Sequence, residues 1–593
     1  MTFAKTLLLR SDNEYRNQAY SAREDLKSYG DNGLALFALA LHFRIDDIDS
    51  VAAESITDGH DDKKCDLVYI NEEEEFAVLA QCYFSSKDRQ EAPANKASDL
   101  NIALAWLLQR DLHDVPDRIK SSAQQIRTSI KQGKIKTLYV WYVHNLPSST
   151  NVAQELITVQ QTAATILKHD FEDAKIQVHA MEVGTEKLTE WYSESLSPIL
   201  VDEIFNIKVS DGGYEIKGDN WNAFCTTIQG RDLARAYKKH KLKIFSANVR
   251  DYLGSRSSDS NINNGIRNSA ENSASEFWAY NNGVTVLVHE YKFNEASKNL
   301  EIRGMSIVNG AQTTGALGTL PRLPPESVKV QARFIKVKDA DADLIQNIIQ
   351  YNNSQNKVEA SDFRSTDKIQ KRLKNEFASI PDAEYDGGRR GGAESVIRRK
   401  TNLLPSYTVG QALMSFHGEP TIAYNQRSAI WTNDSHYSKI FNDSTKASHI
   451  VCAYSLMRCI ENKKIALAKK DTLSKNDSAQ LGYLRHRGSI PLLCSAIAEC
   501  LENFLGRPVP NLFRVSFGST VSPSQAESIW EPIVDVCLAL SNQLLPALVE
   551  GGLKSPTKVK DCISNFSQLI TATAQMNQPV YEAFEKKSNP HSN

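Results

Sequence analysis

The sequence predicts a mixed α/β (α+β) protein of three parts, and three observations support this fold class. Over residues 1–200, short runs rich in β-branched and aromatic residues alternate with helical patterns, which favours a sheet with mixed pairing and covering helices. Over residues 201–405, further strand-like runs end in polar turns, which predicts a second mixed sheet. Over residues 406–593, apolar residues recur at helical spacing, which predicts a helical bundle.

The composition is that of a globular protein without a global charge signature. The chain has 593 residues, of which 41 % are hydrophobic and 24 % charged, and its net charge is −2, so nucleic-acid binding would use local patches. The 9 cysteines are scattered without a CxxC pair, which favours reduced thiols over disulfides or zinc. No apolar run reaches about 18 residues, and the apolar start is too short for a signal peptide. We therefore expect a cytoplasmic protein without a membrane span.

The first strands form a hairpin with an acidic entrance. In residues 58–86, the run LVYI predicts one strand, NEEEE a charged turn, and FAVLAQCYF a second, buried strand. Asp66 begins the first strand, and Gln81 lies late in the second. This arrangement is typical of PD-(D/E)XK nucleases, in which a carboxylate and a second oxygen ligand hold Mg²⁺ beside the scissile phosphate. We expect Asp66, Gln81 and Asp62 to be the metal ligands.

The hairpin departs from that nuclease pattern at the position of the lysine. Tyr83 stands where the pattern has a lysine that steadies the attacking water and the developing charge. Lys87 could reach back from beyond the strand, or Lys64 could project from the loop before it, so both are candidate catalytic residues beside Asp66 and Gln81. The alternative is a plain hairpin with a solvated acidic loop.

The rest of this part alternates helices and strands. Residues 95–132 and 152–170 carry helical apolar stripes, and residues 136–146 and 175–183 read as strands. The order strand, strand, helix, strand, helix, strand fits a sheet with mixed pairing.

The central part carries polar clusters, each beside an apolar run. A cluster of this kind indicates either an ordinary turn, which the Asn-Gly pairs at 282–283 and 309–310 favour, or a binding site, because amides recognise hydrogen-bonding partners. Their recurrence favours one site. The helix predicted after Asn309 adds a positive dipole end. The polar stretch 255–277 is expected to be a loop with a short helix. The candidate ligand-binding or nucleic-acid-binding residues are Asn248, Arg250, Asn281, Asn282, Asn309, Gln312, Thr313, Asn352, Gln355, Arg389 and Arg390.

Four of these segments resemble one protein family. FSANVRDYLG, FWAYNNGVTVL, IVNGAQTTGAL and IIQYNNSQNKVEASDFRSTDKIQ are similar to the AIPR family of abortive-infection phage-resistance proteins, over roughly residues 204–437. The resemblance implies a bacterial defence protein with an AIPR core at 201–405 and, as in many members, a restriction-endonuclease-like domain at the N-terminus. It does not assign a chemical mechanism to the core.

Two functions follow from these observations, and both stay open. In the first, the N-terminal domain is a Mg²⁺-dependent nuclease and the AIPR core is its sensing or binding module. In the second, the nuclease fold is degenerate, and the protein is a non-catalytic sensor that binds a nucleotide or nucleic acid. An unassigned enzyme centred on the Asn clusters lacks a good general base. The expected partners are nucleic acid, a phage-derived trigger or a co-encoded defence protein, with a homo-oligomer as a further alternative.

Overall fold

The structure is a computed structural model that describes most of the chain. It covers residues 20–588 except 44, 46, 88, 197, 198, 200, 210, 241–243, 246–256, 339–341, 353–363, 365, 366, 386, 388–401, 471 and 550–552. Five of the predicted binding residues lie outside the described residues, namely Asn248, Arg250, Gln355, Arg389 and Arg390.

The N-terminal part contains a four-stranded mixed sheet between helices. The strands stand in the order β1-β2-β3-β4, with β1 and β2 antiparallel and the other pairs parallel. The predicted strands and helices are present within a few residues of their predicted ends. The elements are α1 (Glu24–Lys27), α2 (Asn32–Phe43), α3 (Ile48–Ser55), β1 (Leu67–Asn71), β2 (Phe76–Tyr83), α4 (Ala94–Ser98), α5 (Leu100–Leu104), α6 (Asp117–Lys131), β3 (Thr137–His144), α7 (Thr150–Asp170), β4 (Gln177–Val183) and α8 (Thr185–Leu196).

Both faces of this sheet are covered, which explains the continuous apolar runs of its inner strands. Every residue of β3 is buried, and β2 is buried up to its last residue. Helices α2 and α8 pack on one face, where Phe43 stacks on Phe76 with ring centroids 4.2 Å apart. Helices α4 to α7 pack on the other face. Parallel strands buried on both faces need no alternation of polar and apolar residues.

The central part is built on a second mixed sheet of seven strands. Its order is β5-β10-β8-β11-β7-β6, with β9 paired to β10, and β8 runs parallel to β11. The expected loop at 255–277 is wrong in part, because a helix of 16 residues occupies most of it. The elements are β5 (Val201–Lys208), β6 (Gly213–Lys217), β7 (Trp221–Gln229), α9 (Gly230–His240), α10 (Ser257–Asn272), α11 (Phe277–Tyr280), β8 (Val284–Val288), β9 (Glu290–Asn294), β10 (Asn299–Asn309), α12 (Ala311–Gly318), β11 (Lys329–Val337) and α13 (Ala342–Asn352).

The remaining described residues form helices around one large apolar core. Its largest fully buried side chains include Trp431 and Trp530. The helices are α14 (Lys368–Phe377), α15 (Ser406–Phe416), α16 (Pro420–Asn425), α17 (Ala429–Thr432), α18 (Asp434–Ile440), α19 (Ala447–Ala468), α20 (Lys475–Arg485), α21 (Ser489–Glu499), α22 (Leu501–Leu505), α23 (Pro523–Ala539), α24 (Pro546–Val549), α25 (Pro556–Ala572) and α26 (Gln578–Lys587).

A buried ionic network joins the N-terminal part to these helices. The guanidinium of Arg458 on α19 donates to both oxygens of Asp47 at 2.6 Å, and to Glu461 at 2.7 Å. Ser50 on α3 donates to Glu461 at 2.6 Å. Removing one partner of such a buried network leaves an uncompensated charge, so it fixes how the two parts dock.

Among the described residues, membrane crossing is not supported by any single helix, since none combines sufficient length with apolar character. One pair of helical segments, Pro523–Ala539 and Ser541–Val549, meets the criteria together, by length and composition alone, with a bend of 69° between them.

Candidate functional site

Asp66 lies at the edge of the N-terminal sheet where the parallel strands end. Its N–H donates to the carbonyl of Ala80 at 2.9 Å, which places it beside the end of β2. Its own carbonyl accepts from Thr57 and Asp58, so the preceding loop folds back over it. Ligands of open α/β sheets bind outside the carboxyl ends of the strands, and Asp66 lies at this edge.

Three carboxylates meet at this edge. The ligand oxygens of Asp58, Asp62 and Asp66 all lie within 4.8 Å of one another, and we call these residues the acidic cluster. Asp62 is held in place because its carboxylate accepts from the N–H groups of Gly59 and Lys64, at 3.1 and 2.8 Å. Lys64 also has a positive φ of 67°, so the loop carries backbone strain at this point. A cluster of three carboxylates at this spacing attracts a hard cation.

Two buried amides beside the acidic cluster each leave their oxygen without a hydrogen bond. The Nε2 atom of Gln81 donates to Asp66 at 3.2 Å, and Nδ2 of Asn32 donates to Asp58 at 2.7 Å. Both side chains are 4 % exposed, and neither amide oxygen has a donor among the described residues. Buried polar atoms are normally satisfied, so two orphaned oxygens at one place indicate a missing partner. A cation or an ordered water supplies the kind of partner that such an oxygen lacks.

The electrostatics of Asp66 also favour a bound cation. Its pKa is raised to about 7, first because burial disfavours the charged carboxylate, and further because Asp58 and Asp62 add negative charge. The N–H of Cys82 donates to it at 2.5 Å and, together with the charge of Lys96, lowers the pKa in part. A bound cation would relieve this repulsion.

The structure places the candidate lysines differently from one another. The ammonium of Lys64 lies 3.8 Å from the carboxylate of Asp99. The side chain of Lys87 is exposed and makes no hydrogen bond or ion pair with the described residues, although its backbone contacts Ser85. Lys96 on α4 is a cation whose charge lowers the pKa of Asp66, with a smaller effect than burial or the neighbouring carboxylates. Sequence reasoning missed Lys96 and Asn32, since each lies on a helix, away from the hairpin motif.

A polar cavity opens in the central sheet, where β8 begins and β10 ends. Residues Asn309, Thr285 and Arg333 stand opposite one another on the adjacent strands β10, β8 and β11. The cavity has a volume of about 230 Å³, and we call it the polar cavity. Its lining consists of Asn282, Gly283, Val284, Thr285, Asn309, Gln331 and Arg333.

Hydrogen bonds tie the predicted Asn residues together around the polar cavity. Nη2 of Arg333 donates to Thr285 at 2.8 Å and to the side-chain oxygen of Asn352 at 2.9 Å. Asn309 donates to the carbonyl of Asn352 at 2.8 Å. Asn281 donates to the hydroxyl of Thr313 at 2.9 Å, which links α12 to the start of β8. The polar clusters that are described therefore converge.

Both Asn-Gly pairs form turns that require glycine at their second position. Gly283 and Gly310 have φ values of 81° and 95°, and a Cβ on Gly310 would lie 2.8 Å from the carbonyl oxygen of Gly283. Only glycine accepts this conformation and close approach without strain. The turns do not close hairpins; they bring the start of β8 against the beginning of α12.

Two of the predicted binding residues line the cavity, three more are connected to it along the chain or by hydrogen bonds, and three polar strand residues of its lining were missed. Asn282 and Asn309 line it, and Asn352 bonds to two of its lining residues. Asn281 bonds to Thr313, and Gln312 lies in the first turn of α12. Sequence reasoning overlooked Thr285, Gln331 and Arg333, and only the two residues of β11 left a signal. The signal was the alternation in β11, whose exposed residues are Lys329, Gln331 and Arg333.

Comparison with known protein families gives a match in the central part of the chain. Residues 245–476 match the AIPR protein family, a stretch that includes β8, β10, β11 and the polar cavity. No curated protein and no solved structure matches the chain significantly. This region of the chain is therefore similar to AIPR proteins, and the similarity suggests abortive-infection defence against phage.

Proposed function

We propose that the N-terminal domain is a Mg²⁺-dependent nuclease of the PD-(D/E)XK type and that it acts in the cytoplasm of a phage-infected bacterium. The observation that carries the proposal is the acidic cluster together with the two orphaned amide oxygens of Gln81 and Asn32. Mg²⁺ prefers six oxygen ligands and keeps several waters, so an incomplete protein shell suits it.

The chemistry divides between the ion and the protein. When bound, Mg²⁺ would polarise a phosphoryl oxygen and lower the pKa of a coordinated water. The carboxylates of Asp58, Asp62 and Asp66 and the two amide oxygens would hold it. Lys96 would balance the negative charge that develops on the phosphate. The overall reaction adds water across one P–O bond and gives a phosphate monoester and an alcohol.

In this proposal the central sheet is the sensing module. The polar cavity supports this role, since it has a binding geometry but no general base among its described lining residues. Its occupation would signal infection, through a phage-derived trigger or a co-encoded protein, and release the nuclease.

The test is degradation of plasmid, single-stranded DNA and RNA by the full-length protein, with Mg²⁺ or with EDTA. We expect cleavage that needs Mg²⁺ and is lost in Asp66→Asn. The matched control is Asp61→Asn, which changes an exposed carboxylate of the same loop that pairs with Lys63 outside the acidic cluster. Cleavage that survives Asp66→Asn would contradict the proposal.

The second candidate function is a non-catalytic nucleotide or nucleic-acid sensor. Two observations favour it. Tyr83 occupies the position where the nuclease motif has a lysine, and the ammonium of Lys64 lies near the carboxylate of Asp99. In this case Mg²⁺ still binds the acidic cluster and stabilises the fold, but no substrate is cleaved under any condition.

A further inference from the structure

We infer that the polar cavity binds a single nucleotide unit, with Arg333 on its phosphate and the neighbouring amides on its base. This inference rests on the sensing role proposed for the central sheet, whose ligand class it names, and does not depend on cleavage by the N-terminal domain. The charge, the geometry and the size of the cavity support it.

Arg333 brings a positive charge that no described carboxylate pairs. Its Nη2 donates to two neutral partners, Thr285 and Asn352, while Nε and Nη1 donate to no residue that the structure describes. A guanidinium edge with free N–H groups matches two oxygens of a phosphate. The same positive charge disfavours a metal cation here.

The cationic side chain is held in place before any ligand binds. Thr285 is 2 % exposed, and its hydroxyl accepts from Arg333 across the parallel pair β8 and β11. Asn352, at the end of α13, fixes the same nitrogen from the other side. Because two partners hold this group, binding would cost less side-chain entropy.

The remaining lining groups suit a nucleobase. Asn282 and Gln331 make no side-chain hydrogen bond with the described residues, and Nδ2 of Asn309 is occupied, which leaves its oxygen as an acceptor. Amides offer donors and acceptors in one plane, the pattern needed at the edge of a base.

The neighbouring helix and the volume fit the same ligand. Helix α12 begins at Ala311, two residues beyond Asn309, and among the described residues no side chain caps its first turn. Its positive end adds to the field of Arg333. The cavity, with a volume of about 230 Å³, has room for the phosphate and one edge of a base, while the rest of a nucleotide would extend towards solvent.

The test is a calorimetric titration of the full-length Asp66→Asn protein, in which cleavage cannot consume the ligand. The probes are the four 5′-mononucleotides, adenosine, inorganic phosphate, and a dinucleotide with and without a 5′-phosphate. We expect at least one mononucleotide to bind, and its nucleoside to bind at least about tenfold more weakly. A preference for the phosphorylated dinucleotide would identify a strand end as the source, and a preference for mononucleotides a free nucleotide.

The variants are chosen so that a folding defect cannot be mistaken for a binding defect. Arg333→Gln should weaken nucleotide binding at least about tenfold, whereas Arg303→Gln, on the same sheet but paired with Asp202, should leave it unchanged. Asn282→Ala removes an exposed amide and should weaken binding of the nucleotide but not of inorganic phosphate. The thermal midpoint of each variant checks its fold.

Three results would overturn the inference. They are equal binding of nucleotide and nucleoside, equal affinities of Arg333→Gln and Arg303→Gln, and no binding of any phosphorylated probe. Nucleotide binding that leaves cleavage by the wild type unchanged would instead count against the sensing role alone. Cleavage that fails while binding succeeds would count against the nuclease alone.

Discussion

The acidic cluster and the polar cavity are built from similar parts but have opposite electrostatic character. Both lie where strands end, and both use Asn or Gln amides. In the acidic cluster the amides of Gln81 and Asn32 donate to carboxylates and leave oxygens free. In the polar cavity Asn352 accepts from a guanidinium, and that guanidinium keeps N–H groups free.

The comparison shows that the charged neighbour of the amides decides which polar groups of a site stay free for a ligand. An amide has one donor end and one acceptor end, and a charged neighbour occupies one of them. Beside Asp66 the free end is an oxygen, which suits a cation. Beside Arg333 the amide of Asn352 uses both ends, because its nitrogen donates to the carbonyl of Ile348, and the free N–H donors belong to the guanidinium itself, which suits an anion. Residue type alone does not separate the two cases.

The strongest test of this comparison is a pair of variants that each remove one site. Asp66→Asn should abolish the Mg²⁺-induced rise in thermal midpoint and reduce cleavage by about 1,000-fold or more, because a ligand and its charge are lost. Nucleotide binding should remain. Arg333→Gln should do the reverse, with an intact Mg²⁺ response. Thermal scans and titrations of both proteins measure this. A variant that impairs both responses would show that the two sites are not independent.

The next prediction distinguishes Lys96 from Lys64 and Lys87 as the cation that assists cleavage. Lys96→Met should lower the cleavage rate about 100-fold, because a positive charge beside the reacting phosphate is lost, while the Mg²⁺ affinity changes little. Single-turnover cleavage at saturating Mg²⁺ measures it.

The controls are Lys64→Met and Lys87→Met, which remove the two cations that the hairpin motif suggested. Each should retain the rate to within about twofold, since an exposed or differently paired lysine has little effect on the site. A 100-fold loss in Lys87→Met alone would restore the lysine suggested by the motif and exclude Lys96.

Much of the fold can be predicted from the sequence, and the elements that were mispredicted have a physical explanation. The strands around Val78 and Trp141 are buried on both faces, so they are continuous apolar runs that are easy to recognise in the sequence. The helix Ser257–Asn272 was expected to be mostly loop, because Ser and Asn have weak helix propensity and tertiary context overrides it.

The site was predictable only where its residues share a motif. Gln81 lies on β2, and Asp66 immediately precedes the paired strand β1, so the hairpin sets their distance. Asn32 comes from an otherwise apolar helix, and Lys96 from a helix beyond the hairpin, so their approach depends on tertiary packing. The position of Arg333 beside Thr285 depends on the register of β8 and β11, which cannot be read from the sequence.

A smaller effect is expected when the acidic cluster gains charge at Gln81. Gln81→Glu adds a carboxylate where the amide now donates to Asp66, so the metal-free protein should be less stable and should bind Mg²⁺ about tenfold more tightly. Gln81→Met removes the oxygen ligand and should weaken Mg²⁺ binding by a similar factor. Mg²⁺ titrations followed by thermal midpoint compare them. Equal affinities in the two variants would show that residue 81 is not a ligand.

The mildest perturbation is pH, and its sign follows from Asp66. Its folded pKa of about 7 lies above the ordinary value of 3.8, so the folded protein holds a proton that the unfolded chain releases. Without metal, stability should therefore fall as pH rises from about 4 to about 7, and then level off.

Mg²⁺ reverses this trend because it binds the deprotonated carboxylate. Below pH 7, each unit of decrease should weaken Mg²⁺ binding by up to about tenfold, so the thermal shift caused by Mg²⁺ should grow from about pH 6 to about pH 8. Asp66→Asn has no such proton and should show a flat response. The polar cavity provides a control that does not involve Asp66, because Arg333 stays charged throughout this range and only the phosphate of the ligand, with a second pKa of about 6, changes its charge. If the Mg²⁺ shift in the wild type were as large at pH 6 as at pH 8, Asp66 would not be the group that couples protonation to metal binding.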